Sequence, residues 1–103
     1  MTGRIRVFWD HKLQKVINTN DINVLLMGSR SSNDIVLPDR HVSAFHLVFF
    51  ASEDKLVLLD LKSRNGTYVN GVRVEGRYEV KSGDLIQIGY TSILYLSEQE
   101  SDT

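Results

Sequence analysis

The sequence predicts an all-β fold, a β-sandwich of about eleven short strands. Three observations lead to this prediction. Apolar residues alternate with polar ones or stand in short runs, as they do in half-buried and buried strands. Turn-forming pairs of residues separate these runs at close intervals. No window carries the i, i+3, i+4, i+7 apolar stripe of an amphipathic helix.

The first three strands follow from their side-chain patterns. Residues 4–9 alternate in polarity, and residues 13–17 follow after the turn Asp10-His11, so the two segments are expected to form a hairpin. Residues 24–27 are a continuous apolar run, which is typical of a strand buried on both faces.

The next three strands are short and apolar. Residues 34–37 form a strand that Pro38 ends, because proline has no N–H for a sheet hydrogen bond. Residues 46–50 are the most hydrophobic segment of the chain. Residues 56–60 are expected to pair with them across the polar turn at 52–54.

Five more short strands complete the predicted sandwich, and glycine-containing turns separate the last two. These strands are residues 67–69, 72–74, 78–80, 85–88 and 91–96. The pattern therefore assigns residues 1–96 to one β domain. It assigns the polar, acidic residues 97–103 to a tail or linker.

Composition restricts the class of protein. The chain has 103 residues, enough for one domain with a core of its own. It has no cysteine, and its histidines, His11, His41 and His46, lack metal-ligand spacing, so neither a metal nor a cofactor is expected. The formal net charge of −1 argues against nucleic-acid binding driven by phosphate neutralisation.

The distribution of apolar residues bears on location. No apolar run approaches the roughly 20 residues that span a bilayer. Arg4 and Arg6 interrupt the first apolar segment, which argues against a signal peptide. We therefore expect an intracellular domain that makes no direct membrane contact, whether it stands alone or belongs to a larger, membrane-attached protein.

Residues 63–71 are the most informative segment. They contain two Asn-Gly steps, Asn65-Gly66 and Asn70-Gly71. Asn-Gly is a strong turn signal because both residues tolerate positive φ. Arg64 places a fixed cation with a planar donor fork beside the amide of the first turn. Such a turn suits the capture of an anion that is attached to a peptide.

A second segment, residues 28–46, adds weight to this interpretation. Together the two segments resemble the forkhead-associated (FHA) domain family over roughly residues 4–96. The matching positions, all in order, are Gly28, Asn33-Asp34-Ile35, Val42-Ser43-x-x-His46, Ser63-x-Asn65-Gly66-Thr67, Asn70-Gly71 and the closing Ser82-Gly83-Asp84-x-Ile86-x-Ile88-Gly89.

The resemblance implies an FHA/SMAD-like sandwich that binds a phosphothreonine peptide through loops at one end. It implies that the Ser43 hydroxyl and the Ala44 backbone N–H donate to the phosphate, and that Arg64 contacts it. It further implies that Asn65 binds the peptide backbone beside the phosphothreonine. His41 matches the position that helps to select the third residue after it.

Four further residues are expected to support the site structurally. Gly28 is interpreted as a turn glycine. His46 opens an apolar strand and is interpreted as a buried hydrogen-bonding residue that holds the recognition loops. Gly66 and Asn70 are interpreted as turn residues of the two Asn-Gly steps.

The sequence also departs from the family pattern. Ser29 stands where the family places an arginine after Gly28, and Ala44 stands where it places an arginine after the Val-Ser pair. Arg30 lies one residue beyond the first vacant position, so we count it among the candidate phosphate contacts. The cations that remain near the predicted site are Arg30, Arg40, Lys62 and Arg64.

Two functions remain open at this point. The first is a phosphothreonine-dependent recognition module, within a larger signalling or secretion protein, whose partner is a threonine-phosphorylated protein or peptide. The second is an FHA-fold scaffold with a degenerate phosphate pocket and phosphate-independent protein contacts, which the missing arginine at position 29 favours. An enzyme is not expected, because the sequence carries no recognisable catalytic constellation.

Overall fold

The computed structural model describes residues 2–98, which form two packed β-sheets of eleven strands. The predicted fold class is confirmed. The strands are β1 (Gly3–Trp9), β2 (Lys12–Asn18), β3 (Val24–Gly28), β4 (Ile35–Val36), β5 (Leu47–Ser52), β6 (Lys55–Asp60), β7 (Thr67–Val69), β8 (Val72–Val74), β9 (Arg77–Val80), β10 (Leu85–Ile88) and β11 (Thr91–Ser97). A single 3-10 turn, Thr19–Asp21, links β2 to β3.

The first sheet has six strands in the order β2-β1-β11-β10-β7-β8, and the second has five in the order β4-β3-β5-β6-β9. All paired strands are antiparallel except β3 and β4. The predicted β1–β2 hairpin is present, with a change of register between Val7 and Phe8. The predicted pairing of β5 with β6 is present as well.

The core lies between the two sheets and follows from the period-2 patterns. In β1, Ile5 and Val7 are buried while Arg4 faces solvent. In β6 three consecutive residues are buried, which fits a strand with neighbours on both sides. The largest fully buried apolar side chains are Phe49, Ile5, Met27, Leu47, Leu56, Leu58, Ile86, Ile88 and Ile93.

Several strand boundaries differ from the sequence prediction by one or two residues, and two of these differences bear on the site. The strand predicted at 34–37 is only Ile35–Val36. Asp34 precedes it because its carboxylate accepts the Leu26 N–H at 2.7 Å, so its side chain bonds to the neighbouring strand. At the other boundary, β5 begins at Leu47, so His46 belongs to the preceding loop.

The C-terminal part of the described chain continues the first sheet. Ser97 is the last residue of β11, and the Glu98 N–H donates to the Thr2 carbonyl oxygen at 2.9 Å. Glu98 also forms an ion pair with Arg4. The first two residues of the predicted tail, 97–103, therefore contact the sheet, and residues 99–103 lie outside the described residues. Within residues 2–98 the structure has no helix long and apolar enough to cross a membrane.

Candidate functional site

Four connections meet at one end of the sandwich, which we call the loop end. They are residues 29–34, 37–46, 61–66 and 89–90, and the β1–β2 turn at residues 10–11 lies at the same end. The register of the antiparallel pairs brings them together: Ile88 pairs with Thr91 in the first sheet, and Leu47 pairs with Asp60 in the second. Most of the predicted site residues lie in these loops.

Ser43 joins three of the loops. Its side-chain oxygen accepts the Arg64 N–H at 3.0 Å, and its carbonyl oxygen accepts the Ser29 N–H at 3.0 Å. In the first bond the hydroxyl acts as acceptor, so its hydrogen stays available for an anion. Ala44 follows directly, and its carbonyl oxygen accepts the Arg30 N–H at 3.2 Å.

His46 holds two of these loops from inside. Its side chain is fully buried; Nδ1 accepts the Ser43 N–H at 3.1 Å, and Nε2 donates to the Gly66 carbonyl oxygen at 2.9 Å. Burial lowers the pKa of His46 below 6.5, against the opposing effects of the Gly66 hydrogen bond and of Asp60 and Asp39. The ring is therefore neutral, with its hydrogen on Nε2, and it fixes the distance between Ser43 and Gly66.

Asn65 and His41 are connected across the site. The Asn65 side-chain N–H donates to the His41 carbonyl oxygen at 2.9 Å, while Asn65 remains exposed. The His41 ring contacts the exposed ring of Tyr90 edge-on, with centroids 4.7 Å apart. A shallow cavity of about 300 Å³ lies between them, lined by His41, Asn65, Tyr68, Gln87, Gly89 and Tyr90.

Gly28 is required by a close approach of the backbone. A Cβ atom at Gly28 would overlap with the Ala44 carbonyl oxygen and would lie 2.9 Å from the Asn33 side-chain nitrogen. That nitrogen donates to the carbonyl oxygens of Arg30 at 2.8 Å and Ala44 at 2.7 Å. Gly28 and Asn33 thereby pack loop 29–34 against loop 37–46.

Two of the arginines expected to contact the phosphate, Arg30 and Arg64, lie on the surface of the loop end. The Arg30 guanidinium stacks over the Phe45 ring, 5.8 Å from its centroid, so Arg30 lies beside the segment that holds Ser43. Arg64 is exposed, and its backbone N–H is the group bound to Ser43. Both arginines belong to the same loop cluster, although Ser29 occupies the position of the missing arginine.

Asn70 lies outside the loops that form the loop end. Asn70 lies at the far end of β7, and its side chain donates to Asp84 at 2.8 Å and accepts the Leu85 N–H at 3.0 Å. It is a turn residue with φ +50°, as expected for Asn-Gly, but it supports the β7–β8 hairpin and makes no contact with the loop end.

Two carboxylates at the loop end, the buried Asp39 and the half-buried Asp60, were not singled out from the sequence. Asp39 accepts the backbone N–H groups of His41 at 2.9 Å and Tyr90 at 2.7 Å, and the Thr91 hydroxyl at 3.0 Å. The bond to His41 is an Asx turn, which an Asp two residues before a loop residue can signal. The bonds to Tyr90 and Thr91 span more than fifty residues and leave no local signal.

Asp60 likewise organises loop 61–66 by accepting hydrogen bonds. Its carboxylate accepts the Ser63 hydroxyl at 2.6 Å and the Thr67 hydroxyl at 2.7 Å. Burial alone would raise the pKa of Asp60, but hydrogen bonds from Ser63 and Thr67 and the nearby His46 outweigh burial and lower the pKa below 3.8. Asp60 is therefore ionised at neutral pH and fixes the turn that carries Arg64 and Asn65.

The arrangement suits anion binding more than metal binding. Hydroxyl, backbone and guanidinium donors converge on the loop end, whereas the carboxylates of Asp39 and Asp60 already accept hydrogen bonds from loop groups. Within residues 2–98 no group of three or more His, Asp or Glu side chains is arranged to hold a metal ion.

The family model of the FHA domain matches residues 25–89. Two curated relatives agree with it. The FHA domain-containing protein PS1 of Arabidopsis thaliana is 38% identical over 76 residues, which are 70% of this chain and 5% of that protein. The DNA damage response protein kinase DUN1 of Saccharomyces cerevisiae is 37% identical over 101 residues, 89% of this chain and 20% of that protein. The chain thus spans a small part of each relative.

A comparison of structures agrees on the fold. An FHA domain studied for phosphothreonine-dependent interactions superposes with a TM-score of 0.83 and 24% identity. The superposition covers 96% of this chain and 99% of that domain. At this identity the likeness is evidence for the sandwich fold alone.

Proposed function

Because the chain belongs to the FHA domain family, we propose that it is a recognition module that binds threonine-phosphorylated peptides or proteins through its loop end. Ser43, the Ala44 N–H, Arg64 and Arg30 contact the phosphate, Asn65 binds the peptide backbone, and His41 contacts a residue beyond the phosphothreonine. The proposal is for a binding module and assigns no catalytic step. It places the chain inside the cell, where protein kinases act.

One observation carries the proposal: the hydrogen bond from the Arg64 N–H to the Ser43 side-chain oxygen. It holds a serine hydroxyl beside a turn with an exposed arginine and an exposed asparagine. A phosphate dianion is bound best by several charge-assisted donors that converge from different directions. The buried His46 and the half-buried Asp60 keep these donors in place without ligand, which lowers the entropy cost of binding.

The surrounding charge supports the same ligand class. The loops contain four exposed cations, Arg30, Arg40, Lys62 and Arg64. Phosphothreonine carries a charge of about −1.5 to −2 at neutral pH. A local cluster of cations on a chain of net charge −1 favours a small, highly charged anion over a long nucleic acid.

Ser43→Ala tests the proposal. The substitution removes the hydroxyl donor and should weaken phosphopeptide binding about tenfold or more, because a hydrogen bond to a charged group contributes roughly 1.5–3 kcal/mol. The melting temperature should change by only a few degrees, since Ser43 is not fully buried and the bond that its side chain accepts is to an exposed group. Titration calorimetry and thermal unfolding measure the two effects.

Ser31→Ala is the matched control, because Ser31 is an exposed serine on the neighbouring loop 29–34. It should bind as the wild type does. If Ser43→Ala and Ser31→Ala bind a phosphothreonine peptide equally well, the assignment of Ser43 is wrong.

A second function has one observation in its favour. Ser29 and Ala44 stand at two positions where the family pattern has arginine, and loss of one bidentate arginine–phosphate contact costs roughly 1.5–3 kcal/mol. The same fold would then bind a protein partner without regard to phosphate. Binding that is equal for a phosphorylated peptide and its unphosphorylated twin would favour this second function.

A further inference from the structure

Arg73, a residue outside the predicted site, places a cation next to the loop end. Arg73 is the middle residue of β8 and lies opposite Tyr68 of β7. A Cβ atom at Gly66 would be 3.1 Å from Arg73 Nε and 3.2 Å from its Cζ. The guanidinium therefore packs against the backbone of Gly66, the residue that follows Asn65, and the absence of a side chain at Gly66 makes room for it.

The charge of Arg73 is not neutralised by the protein. Within residues 2–98 Arg73 makes no ion pair, although Glu75 is only two residues away on the same edge of the sheet. Asp60 and Glu75 line the same cavity as Arg73, but the Asp60 carboxylate accepts hydrogen bonds from Ser63 and Thr67. Arg73 is also exposed, so a ligand can reach it.

The position of Arg73 relative to the site decides what it can contact. Tyr68, its cross-strand partner, lines the cavity that also contains Asn65 and His41. A peptide held at Asn65 would thus pass within reach of a long side chain that lies over Gly66. Arginine has a planar fork of donors that matches a carboxylate, and an unpaired guanidinium at the rim of a binding site selects for negative charge.

We propose that Arg73 is a specificity-determining residue, and that it selects phosphothreonine peptides with an Asp or Glu within three residues of the phosphothreonine. The inference rests on the proposed function. It adds a second contact to the phosphate contact: an ion pair between the peptide's carboxylate and Arg73. Such a pair raises affinity for acidic peptides and weakens as ionic strength rises.

A peptide series tests this inference. The peptides carry one phosphothreonine in an alanine-rich background, with a single Asp moved from three residues before the phosphothreonine to three residues after it. The proteins are the wild type, Arg73→Gln, Arg73→Lys and the control Lys15→Gln. Lys15 is an exposed residue of the edge strand β2, so its replacement removes the same unit of charge elsewhere. Affinities are measured by fluorescence anisotropy at low salt.

In the wild type and in Lys15→Gln, Asp at one position should raise affinity about threefold to tenfold over the alanine peptide. Arg73→Gln should lose this gain, and Arg73→Lys should keep part of it, which shows that the exchanged residue leaves the fold intact. If Asp gives no gain at any position, or if the gain persists in Arg73→Gln, the inference is wrong. If no phosphothreonine peptide binds the wild type, the proposed function fails too.

Discussion

The two ends of the sandwich are organised in the same way, by carboxylates that accept hydrogen bonds, but they differ in their exposed charges. At the loop end the carboxylates of Asp39 and Asp60 accept hydrogen bonds from loop groups. At the opposite end the buried Asp84 accepts from the Asn70 side chain, the Tyr78 hydroxyl and the Lys81 N–H, each at 2.8 Å. Both ends are thus held by an internal acceptor that organises turns.

The difference lies in the exposed charges. At the opposite end Lys55 and Lys81 both form ion pairs with Glu79. At the loop end, among the residues that the structure describes, Arg64 and Arg73 form no ion pair. Rigidity alone therefore does not distinguish the binding surface. The binding surface is distinguished by rigid turns that present unpaired cations.

His46→Ala, a substitution at the loop end, should cause the largest loss of stability. The substitution removes the acceptor of the Ser43 N–H and the donor to Gly66, and it leaves a cavity under both loops. We expect the free energy of unfolding to fall by about 2–4 kcal/mol, measured by urea denaturation. His11→Asn, at an exposed turn position with φ +60°, serves as control. A loss below about 1 kcal/mol for His46→Ala would show that the ring does not hold the loops.

The matched variants Asp60→Asn and Asp84→Asn separate the contribution of each end to stability from its contribution to binding. Each replaces a carboxylate that accepts three hydrogen bonds, and each should lower the free energy of unfolding by about 1–3 kcal/mol. Only Asp60→Asn should also weaken phosphopeptide binding, because Asp60 orients the turn with Arg64 and Asn65. Urea denaturation and calorimetry on both variants measure this, and an equal loss of binding would remove the functional distinction between the ends.

The pH dependence of stability should be the smallest effect. The pKa of His46 is lowered below 6.5 in the folded state, so the unfolded chain takes up a proton first as pH falls. The His46 contribution is complete above pH 6.5 and declines as pH falls from 6.5 toward the folded pKa. Denaturation curves at a series of pH values should show this decline in the wild type, and His46→Gln should lack it. If the wild type and His46→Gln show the same decline, a titrating group other than His46 causes it.

A second window should lie at lower pH. Burial acts to raise the pKa of Asp84, but hydrogen bonds from Lys81, Tyr78 and Asn70 lower it below 3.8. The pKa of Asp60 is likewise lowered below 3.8. Both carboxylates contribute stability above the unfolded pKa of 3.8, and that stability is lost as pH falls through the folded pKa values. In the same curves, Asp60→Asn and Asp84→Asn should each have a weaker decline below pH 3.8.

The fold was predictable because its signals are local. Alternating polarity in β1 and the Asn70-Gly71 turn between β7 and β8 each depend on a few adjacent residues. The Asn70-Gly71 turn even sets the register that pairs Tyr68 with Arg73. The position of the Arg73 side chain over Gly66 depends on tertiary packing, so the pattern did not predict it.

The candidate site was predictable only in part. The turn expected at Asn70 is present. It is separated from the Asn65-Gly66 turn by the three residues of β7, about 10 Å of extended chain, so its support of the site stays a prediction. Asp39 was missed because its partners Tyr90 and Thr91 are distant in the sequence. Contacts between loops of different strands have no periodicity from which to predict them.

An amide chemical-shift titration tests the central claim most directly. The 15N-labelled chain is titrated with a pool of degenerate phosphothreonine peptides and, separately, with the unphosphorylated pool. We expect shifts at Ser43, Ala44, Arg64 and Asn65 with the phosphorylated pool alone, and none around Asn70 and Asp84. Equal shifts with both pools, or shifts centred on the opposite end, would contradict phosphate-dependent binding at the loop end.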